Sequence, residues 1–273
     1  MNAAFAALGW TDLAATILLV GGLVAAALLA PPSRTGRGLQ GRAAAALALA
    51  LPAEFALTAL RMHQVSGVRG AALLVDLLQT RWGRLWVGRS VGLAALVAGR
   101  RLPPGPLAAV GAAWLLLRSF QGHAGAHGVL PAVIDWLHLL AAAAWLGGLV
   151  QLALVPRPVP VEVAARMRIQ ATAALAVLVP AGAYAAFLHV RHLALLTGSP
   201  YGETLIAKLA LASVLLVLGA VNHFGHVPAM QRGEPRAEAR LVRAVRLEVV
   251  VGAVVLALTA LLGVLPMPHG HAP

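Results

Sequence analysis

Long apolar runs separated by short polar segments dominate this chain, and they predict about eight helices that cross a membrane. The runs consist mainly of Ala, Leu and Val and do not alternate with polar residues, so helices are favoured over a β-barrel. The predicted fold class is an all-α polytopic membrane helix bundle, and residues 1–273 form a single integral membrane domain. The predicted spans are 12–30, 43–62, 83–99, 106–121, 133–154, 169–189, 203–222 and 246–265.

Local signals refine these boundaries. Asp12 is predicted to cap the first span at its amino end. Residues 64–80 combine a loop with an amphipathic stretch that is too short and too interrupted to span a membrane. Pro180 and Gly182 interrupt the sixth span. The first residues lack a basic segment and a small-residue cleavage site, so we expect a short tail before a retained first helix.

Composition agrees with the hydropathy pattern. Hydrophobic residues make up 60% of the chain and charged residues 11%, whereas soluble domains carry about 25% charged residues. The formal net charge of +12 would suggest nucleic acid for a soluble protein. Here the arginines cluster between spans, so the charge reports topology and no nucleic-acid partner is expected. The chain has no cysteine, which excludes disulfides, thiolate metal sites and iron–sulfur clusters.

The arginine clusters orient the bundle. They lie at 34–42, 100–101, 157–168 and 232–246, and positively charged connections are typically cytoplasmic. Both termini are then predicted to lie outside, on the periplasmic face of a Gram-negative host. Arg69, Arg81 and Arg84 fall on the outer side against this rule, which makes them better candidates for site residues than for membrane anchors.

The stretch 134–152 carries the densest candidate chemistry. Asp135 and His138 are one helical turn apart, and Trp145 follows two turns later, so the three side chains share one helix face. Gly147 and Gly148 then allow another helix to approach closely. An ionisable pair at the mouth of a membrane helix indicates a functional site. The simpler alternative is that Asp135 caps the helix and His138 lies at the membrane interface.

Histidines are concentrated on the predicted outer side, where imidazole could bind copper, zinc, iron or nickel. His123 and His127 are four residues apart, and Met62 beside His63 adds a thioether, which selects for Cu(I). His223 and His226 lie on the inner side and are interpreted as structural. The remaining outer candidates are His189, His192, Met267, His269 and His271, of which His189 and His192 are better explained as interfacial residues.

Four charged residues fall inside predicted spans: Glu54, Arg89, Lys208 and Glu248. Charges at this depth are costly unless they are paired. An internal ion pair of Glu54 with Arg89 or with Lys208 is therefore predicted. Such a pair could either fix helix packing or take part in transport.

Several motifs, in this order and spacing, resemble the CopD/PcoD copper-resistance family of bacterial inner-membrane proteins. The resemblance covers about 80–250, and the first two helices contribute little to it. The matching pieces are TxxGRxWxxR at 80–89, GHA at 122–124, DxxHx₆WxGG at 135–148, SxYGxxLxxK at 199–208, Asn222 and RxE at 246–248.

This resemblance implies copper handling at the bacterial inner (cytoplasmic) membrane. It also implies a separate periplasmic copper-binding protein of the CopC kind as a partner, because no such domain is present in this chain. The positions that carry over are His123, Asp135, His138 and Trp145, with Tyr201 and Lys208. His127 and the tail histidines are not part of the match.

The resulting hypothesis is a multi-pass transporter, not an enzyme, that moves copper as Cu(I) or Cu(II) and contributes to copper homeostasis or resistance. No P-loop is present, so the ion gradient or membrane potential would drive transport. The predicted metal ligands are His123, His138, Asp135, His127, His63 and Met62. The predicted path residues are Glu54, Arg89, Trp145, Tyr201, Lys208 and Asn222.

Two alternatives stay open from the residues alone. The first is a membrane cytochrome with b-type haem, or a copper reductase, in which His123 or His127 would face His138 across the haem. The second is a membrane scaffold or sensor whose histidines are incidental. Hydrolase chemistry has no support, because neither a GxSxG elbow nor an HExxH motif is present.

Overall fold

A computed structural model describes residues 2–189 and 197–266, apart from the side chains of residues 2, 188 and 189. Within these ranges the chain is helical and contains no strand. The helices are α1 (Asn2–Leu28), α2 (Arg34–Ser66), α3 (Gly70–Gln79), α4 (Arg81–Ala98), α5 (Pro104–Gln121), α6 (His123–Ala126), α7 (Val129–Ala153), α8 (Val161–His189), α9 (Pro200–Val221), α10 (Val227–Gln231) and α11 (Ala237–Leu262). A π-helical segment, Asn222–His226, joins α9 to α10.

The helical membrane bundle predicted from the hydropathy pattern is confirmed. Six segments of the described chain are long and apolar enough to cross a membrane, namely α1, α2, α7, α8, the continuous α9–α10 segment and α11. Helices α4 and α5 have 18 residues each, or about 27 Å, and carry arginines within their length. The total of eight crossings and the outer location of both termini stay predictions.

Several helices are longer than their apolar runs. Helix α2 begins at Arg34, α8 at Val161 and α11 at Ala237, each about eight or nine residues before the predicted span. Arginine and alanine favour helix, so the basic connections extend the helices beyond the hydrocarbon. The Ser33 hydroxyl fixes the start of α2 by accepting a hydrogen bond from the backbone N–H of Gly36 at 3.0 Å. Hydropathy therefore located the membrane-embedded part of each helix and not its ends.

The prediction that Asp12 caps the first helix is wrong. Asp12 lies ten residues inside α1 and is 2% exposed. Its carboxylate is paired with Arg89 and Arg118 instead of with backbone N–H groups. The prediction that Pro180 and Gly182 interrupt the sixth span is also wrong, because α8 continues through both residues. The short amphipathic stretch before Arg81 is confirmed as the ten-residue helix α3.

Helices α1 and α7 form the centre of the bundle. Helix α1 packs against α2, α5, α7 and α11, and α7 also packs against α5, α8 and α11. A Cβ placed on Gly147 would lie 2.5 Å from Cα of Gly21, and one on Gly148 would lie 2.8 Å from Sδ of Met167. The close approach predicted at Gly147 and Gly148 is confirmed, with α1 on one side of α7 and α8 on the other.

Candidate functional site

The side chain of His138 extends from α7 to the backbone of α8, where a glycine leaves space for the ring. Its Nδ1 lies 3.2 Å from the backbone oxygen of Leu178, and the ring is half-buried. Gly182 leaves room for it, because a Cβ there would lie 3.1 Å from Cε1 of His138. The contact with a carbonyl oxygen implies that Nδ1 carries the proton and leaves Nε2 as the lone-pair nitrogen.

Asp135 and Lys208 carry opposite charges and are both near enough to His138 to influence its imidazole electrostatically. Both act electrostatically on His138, and Asp135 also acts on Lys208. Asp135 and His138 lie one turn apart on α7, as predicted, and Lys208 of α9 adds a cation to this pair. Tyr201 is buried seven residues before Lys208, on the same face of α9. The polar group of Asp135, His138 and Lys208 is called the outer cluster below.

The other predicted metal ligands lie in separate places. His123 is the first residue of the short helix α6 and His127 follows its last residue; both are exposed. Nε2 of His123 lies 3.2 Å from the backbone oxygen of Gly263. Nδ1 of His63 lies 2.9 Å from the backbone oxygen of Val68, with Met62 half-buried beside it. The side chain of His189 and all of His192, Met267, His269 and His271 lie outside the described residues.

These ligands do not form a closed metal site in this conformation. Across residues 2–189 and 197–266, no three His, Asp or Glu side chains are grouped so that they could hold a metal ion. The residues proposed as metal ligands therefore stay predictions.

A second polar group lies deeper, at a cavity of about 260 Å³ between α7, α8, α9 and α11. Trp145, Asn222, His223 and Glu248 all line it. Glu248 is only 1% exposed, and one of its oxygens, Oε1, accepts a hydrogen bond from Nδ2 of Asn222. The cavity lies toward the ends of these helices that carry the arginine clusters, which is the predicted cytoplasmic side. It is called the inner cavity below.

The sequence identified only part of this inner cavity. Asn222 and Trp145 are predicted path residues, but His223 is interpreted as structural. Glu248 is recognised only as a charge inside a span and as the last residue of the RxE motif, without an assigned role. The π-helical segment Asn222–His226 is the feature that sequence periodicity could not reveal. Such segments are frequent at functional sites because the extra residue per turn displaces side chains from the regular helix face.

A buried charge network joins four helices, α1, α2, α4 and α5, near the predicted outer side. Arg89 of α4 binds Asp12, and Nε of Arg118 donates to Oδ2 of Asp12 at 2.7 Å. Nη1 of Arg89 lies 3.6 Å from Oε2 of Glu54, so the predicted pair of Glu54 with Arg89 is present. The same Nη1 donates to Oε1 of Gln121 at 2.9 Å. Two carboxylates and two guanidinium groups balance, as buried charges require.

Arg81, one of the arginines on the predicted outer side, binds backbone carbonyl groups in the same region. It donates from Nη1 to the backbone oxygen of Gly125 at 2.7 Å, and its guanidinium lies 5.9 Å from the ring centre of Phe120. Thr80 caps α4 by accepting a hydrogen bond from the N–H of Gly83 at 2.9 Å. These contacts hold the turn that carries His123 against the start of α4.

Comparison with known proteins identifies the family to which this chain belongs. The family model described as Copper resistance protein D matches residues 161–262, from α8 to the end of α11. The inner membrane protein YebZ of Escherichia coli is 31% identical over 206 residues, which cover 69% of this chain and 70% of that protein. The chain belongs to the CopD family.

Two further similar proteins are named for copper. The copper resistance protein D of Pseudomonas syringae pv. tomato is 30% identical over 214 residues, covering 68% of this chain and 69% of that protein. The copper transport protein CutJ of Bacillus subtilis is 30% identical over 169 residues, covering 58% of this chain and 30% of that protein. No solved structure is significantly similar to this chain.

Family membership and the apolar helices together make this a multi-pass protein of the inner membrane with a role in copper resistance or handling. The matched region contains Lys208, Asn222 and Glu248. It therefore includes one member of the outer cluster and, with His223, the polar residues Asn222 and Glu248 of the inner cavity.

Proposed function

We propose that this protein transports copper ions across the inner membrane and is not an enzyme. The observation that carries the proposal is the course of α7. From its predicted outer end to its predicted inner end, this helix presents Asp135, His138 and Trp145, and Trp145 also lines the inner cavity. Ten residues of helix span about 15 Å, so α7 connects two polar groups through the apolar interior.

Copper would first be captured at the outer side. His123, His127, His63 and Met62 offer imidazole and thioether donors there, and these suit copper in either oxidation state. A periplasmic copper-binding protein of the CopC kind would deliver the ion. The ion would then pass to Nε2 of His138 and the carboxylate of Asp135.

Lys208 gives the outer cluster a switching element. Its ammonium group and an incoming copper ion are both cations, so they compete for Asp135. Copper binding would displace Lys208 or its proton, and the return of Lys208 would expel the ion. An incoming ion would reach the outer cluster past Tyr201, at the outer end of α9. The displaced ion would then move past Trp145 toward Asn222 and the inner cavity.

The buried charge network lies beside this path and has a structural role. It consists of Asp12, Arg89, Arg118 and Glu54. Its charges are already neutralised by one another, and it ties α1, α2, α4 and α5 into one block. We therefore assign Glu54 and Arg89 to the framework against which the transporting helices α7, α8, α9 and α11 are held.

The direct test uses detergent-purified protein and the variant His138→Ala. Copper content is measured by elemental analysis after loading and desalting, for the wild type and for a matched His226→Ala variant. The wild type and His226→Ala should retain copper, and His138→Ala should lose at least one ion per chain. Equal copper content in His138→Ala would remove His138 from the path.

The haem alternative is tested on the same samples. The described contacts direct His138 to α8 and His123 to the end of α11, so no observation favours a shared haem between them. A Soret absorption band in the protein as purified would support the cytochrome interpretation. Bound copper without such a band is the expected result.

A further inference from the structure

The inner cavity contains two buried polar atoms without a hydrogen-bond partner in the described chain. These are Oε2 of Glu248 and Oδ1 of Asn222. Both residues line the cavity, at 1% and 8% exposure respectively. Buried oxygen acceptors are normally satisfied, and those of a native protein that are not call for a ligand, a water or a proton.

Glu248 also lacks a counter-charge. Among residues 2–189 and 197–266, no lysine, arginine or histidine forms an ion pair with it. The other charged or titratable side chains that line the cavity are Arg168 of α8 and His223. Nδ1 of His223 lies 3.3 Å from Oγ1 of Thr172. An ionised carboxylate here would be a buried unpaired charge, so Glu248 needs either a proton or a bound cation.

The cavity offers a donor set suited to copper. Glu248 and Asn222 supply oxygens, His223 supplies an imidazole, and Met167 supplies a thioether. Copper accepts all four donor types, with thioether favouring Cu(I) and imidazole suiting both states. The donors come from three segments, α8, the π-helical segment and α11, and α7 and α9 also line the cavity.

We propose that the inner cavity is a second copper site, distinct from the outer cluster, in which Glu248 exchanges a proton for the ion. Copper binds at Oε2, and the carboxyl proton leaves to water. Release of the ion allows the carboxylate to take up a proton again, and no electron is transferred. This inference rests on the proposed function, because it takes copper as the cation, and it adds proton exchange to it.

The test counts ions and protons together. Purified protein in detergent is titrated with CuCl₂ by calorimetry in two buffers of different ionisation enthalpy, which yields both the copper stoichiometry and the protons released. The wild type should bind at least two ions. Glu248→Gln should bind one ion fewer and release about one proton fewer per chain. Glu238→Gln, on the same helix but paired with Arg157 at its surface, is the matched control and should behave as the wild type.

The outcomes separate the two proposals. If Glu248→Gln keeps both the copper count and the proton release of the wild type, the inner site is wrong. If the wild type binds a single ion that is lost in His138→Ala but not in Glu248→Gln, the inner site is again wrong and the outer cluster stands. If the wild type binds no copper, both proposals are wrong.

A second variant covers the case in which Glu248→Gln does not fold. A Cβ on Gly219 would lie 3.8 Å from both Oε2 of Glu248 and Cζ2 of Trp145, an ordinary contact distance. Gly219→Ala should therefore fold while placing a methyl group beside the free oxygen, and should weaken the inner site at least threefold. Gly41→Ala, where a Cβ meets nothing within 4 Å, is the control. Equal affinity in the two variants would overturn the inner site.

Discussion

Arg118 of α5 donates a hydrogen bond to Asp12 of α1 at 2.7 Å, and this contact joins two residues that are 106 positions apart in the chain. Arg89 holds the other oxygen of the same carboxylate. Asp12 therefore sits at the centre of the charge network. Its removal would leave two arginines facing Glu54 alone.

Asp12→Asn is expected to destabilise the bundle by about 3–5 kcal/mol, because it leaves a buried guanidinium without its partner. Glu238→Gln is the control, since it breaks the partly exposed pair with Arg157 at 3.1 Å and should cost less than about 1 kcal/mol. Thermal unfolding in detergent measures both. Similar midpoints for the two variants would mean that the network adds nothing to stability.

Gly147→Ala is expected to separate α1 from α7. Its Cβ would lie 2.5 Å from Cα of Gly21, and backbone cannot move aside as a side chain can. Gly38→Ala provides the control, because a Cβ there meets nothing within 4 Å and alanine favours helix by about 1 kcal/mol. The unfolding midpoint should fall for Gly147→Ala and hold or rise for Gly38→Ala. A midpoint for Gly147→Ala that equals that of the control would contradict the described helix crossing.

Lys208→Met should strengthen copper binding at the outer cluster at least threefold, because it removes the cation that competes for Asp135. Lys208→Arg keeps the charge and should bind as the wild type does. Equilibrium dialysis against a copper buffer measures both affinities. Weaker binding by Lys208→Met would show instead that Lys208 supports the site.

His123→Ala should lower copper capture without changing stability. His123 is exposed and its described contact is with the backbone oxygen of Gly263, so the expected change in unfolding free energy is within about 0.5 kcal/mol. Initial rates of copper loading at micromolar copper would measure the effect, with His226→Ala as the reference. A loading rate equal to the reference would remove His123 from the capture region.

Hydropathy and motif spacing were sufficient for the fold class, for the helix pairing site at Gly147 and for an ion pair of Glu54, whose partner they left open between Arg89 and Lys208. They were insufficient for Asp12, because a carboxylate near the start of an apolar run looks like a helix cap until its partners from distant helices are known. Arg118 was missed for the same reason. Contacts of this kind are set by tertiary packing, which the periodicity of one helix does not record.

The inner cavity was the other part that could not be predicted. The sequence places Asn222 and Glu248 in separate motifs, 26 positions apart. Their hydrogen bond depends on the π-helical segment that follows α9, and no residue pattern in that segment distinguishes it from a regular helix end. The cavity became apparent only when α7, α8, α9 and α11 were assembled.

Copper flux into sealed vesicles tests the central claim most directly. Purified protein is reconstituted into liposomes that contain a copper-sensitive dye, and the dye response is followed after external copper is added. The account predicts uptake by the wild type and by His226→Ala, and at least a tenfold lower rate for His138→Ala. Uptake by the wild type no faster than by protein-free liposomes, or equal uptake by His138→Ala, would contradict transport along α7.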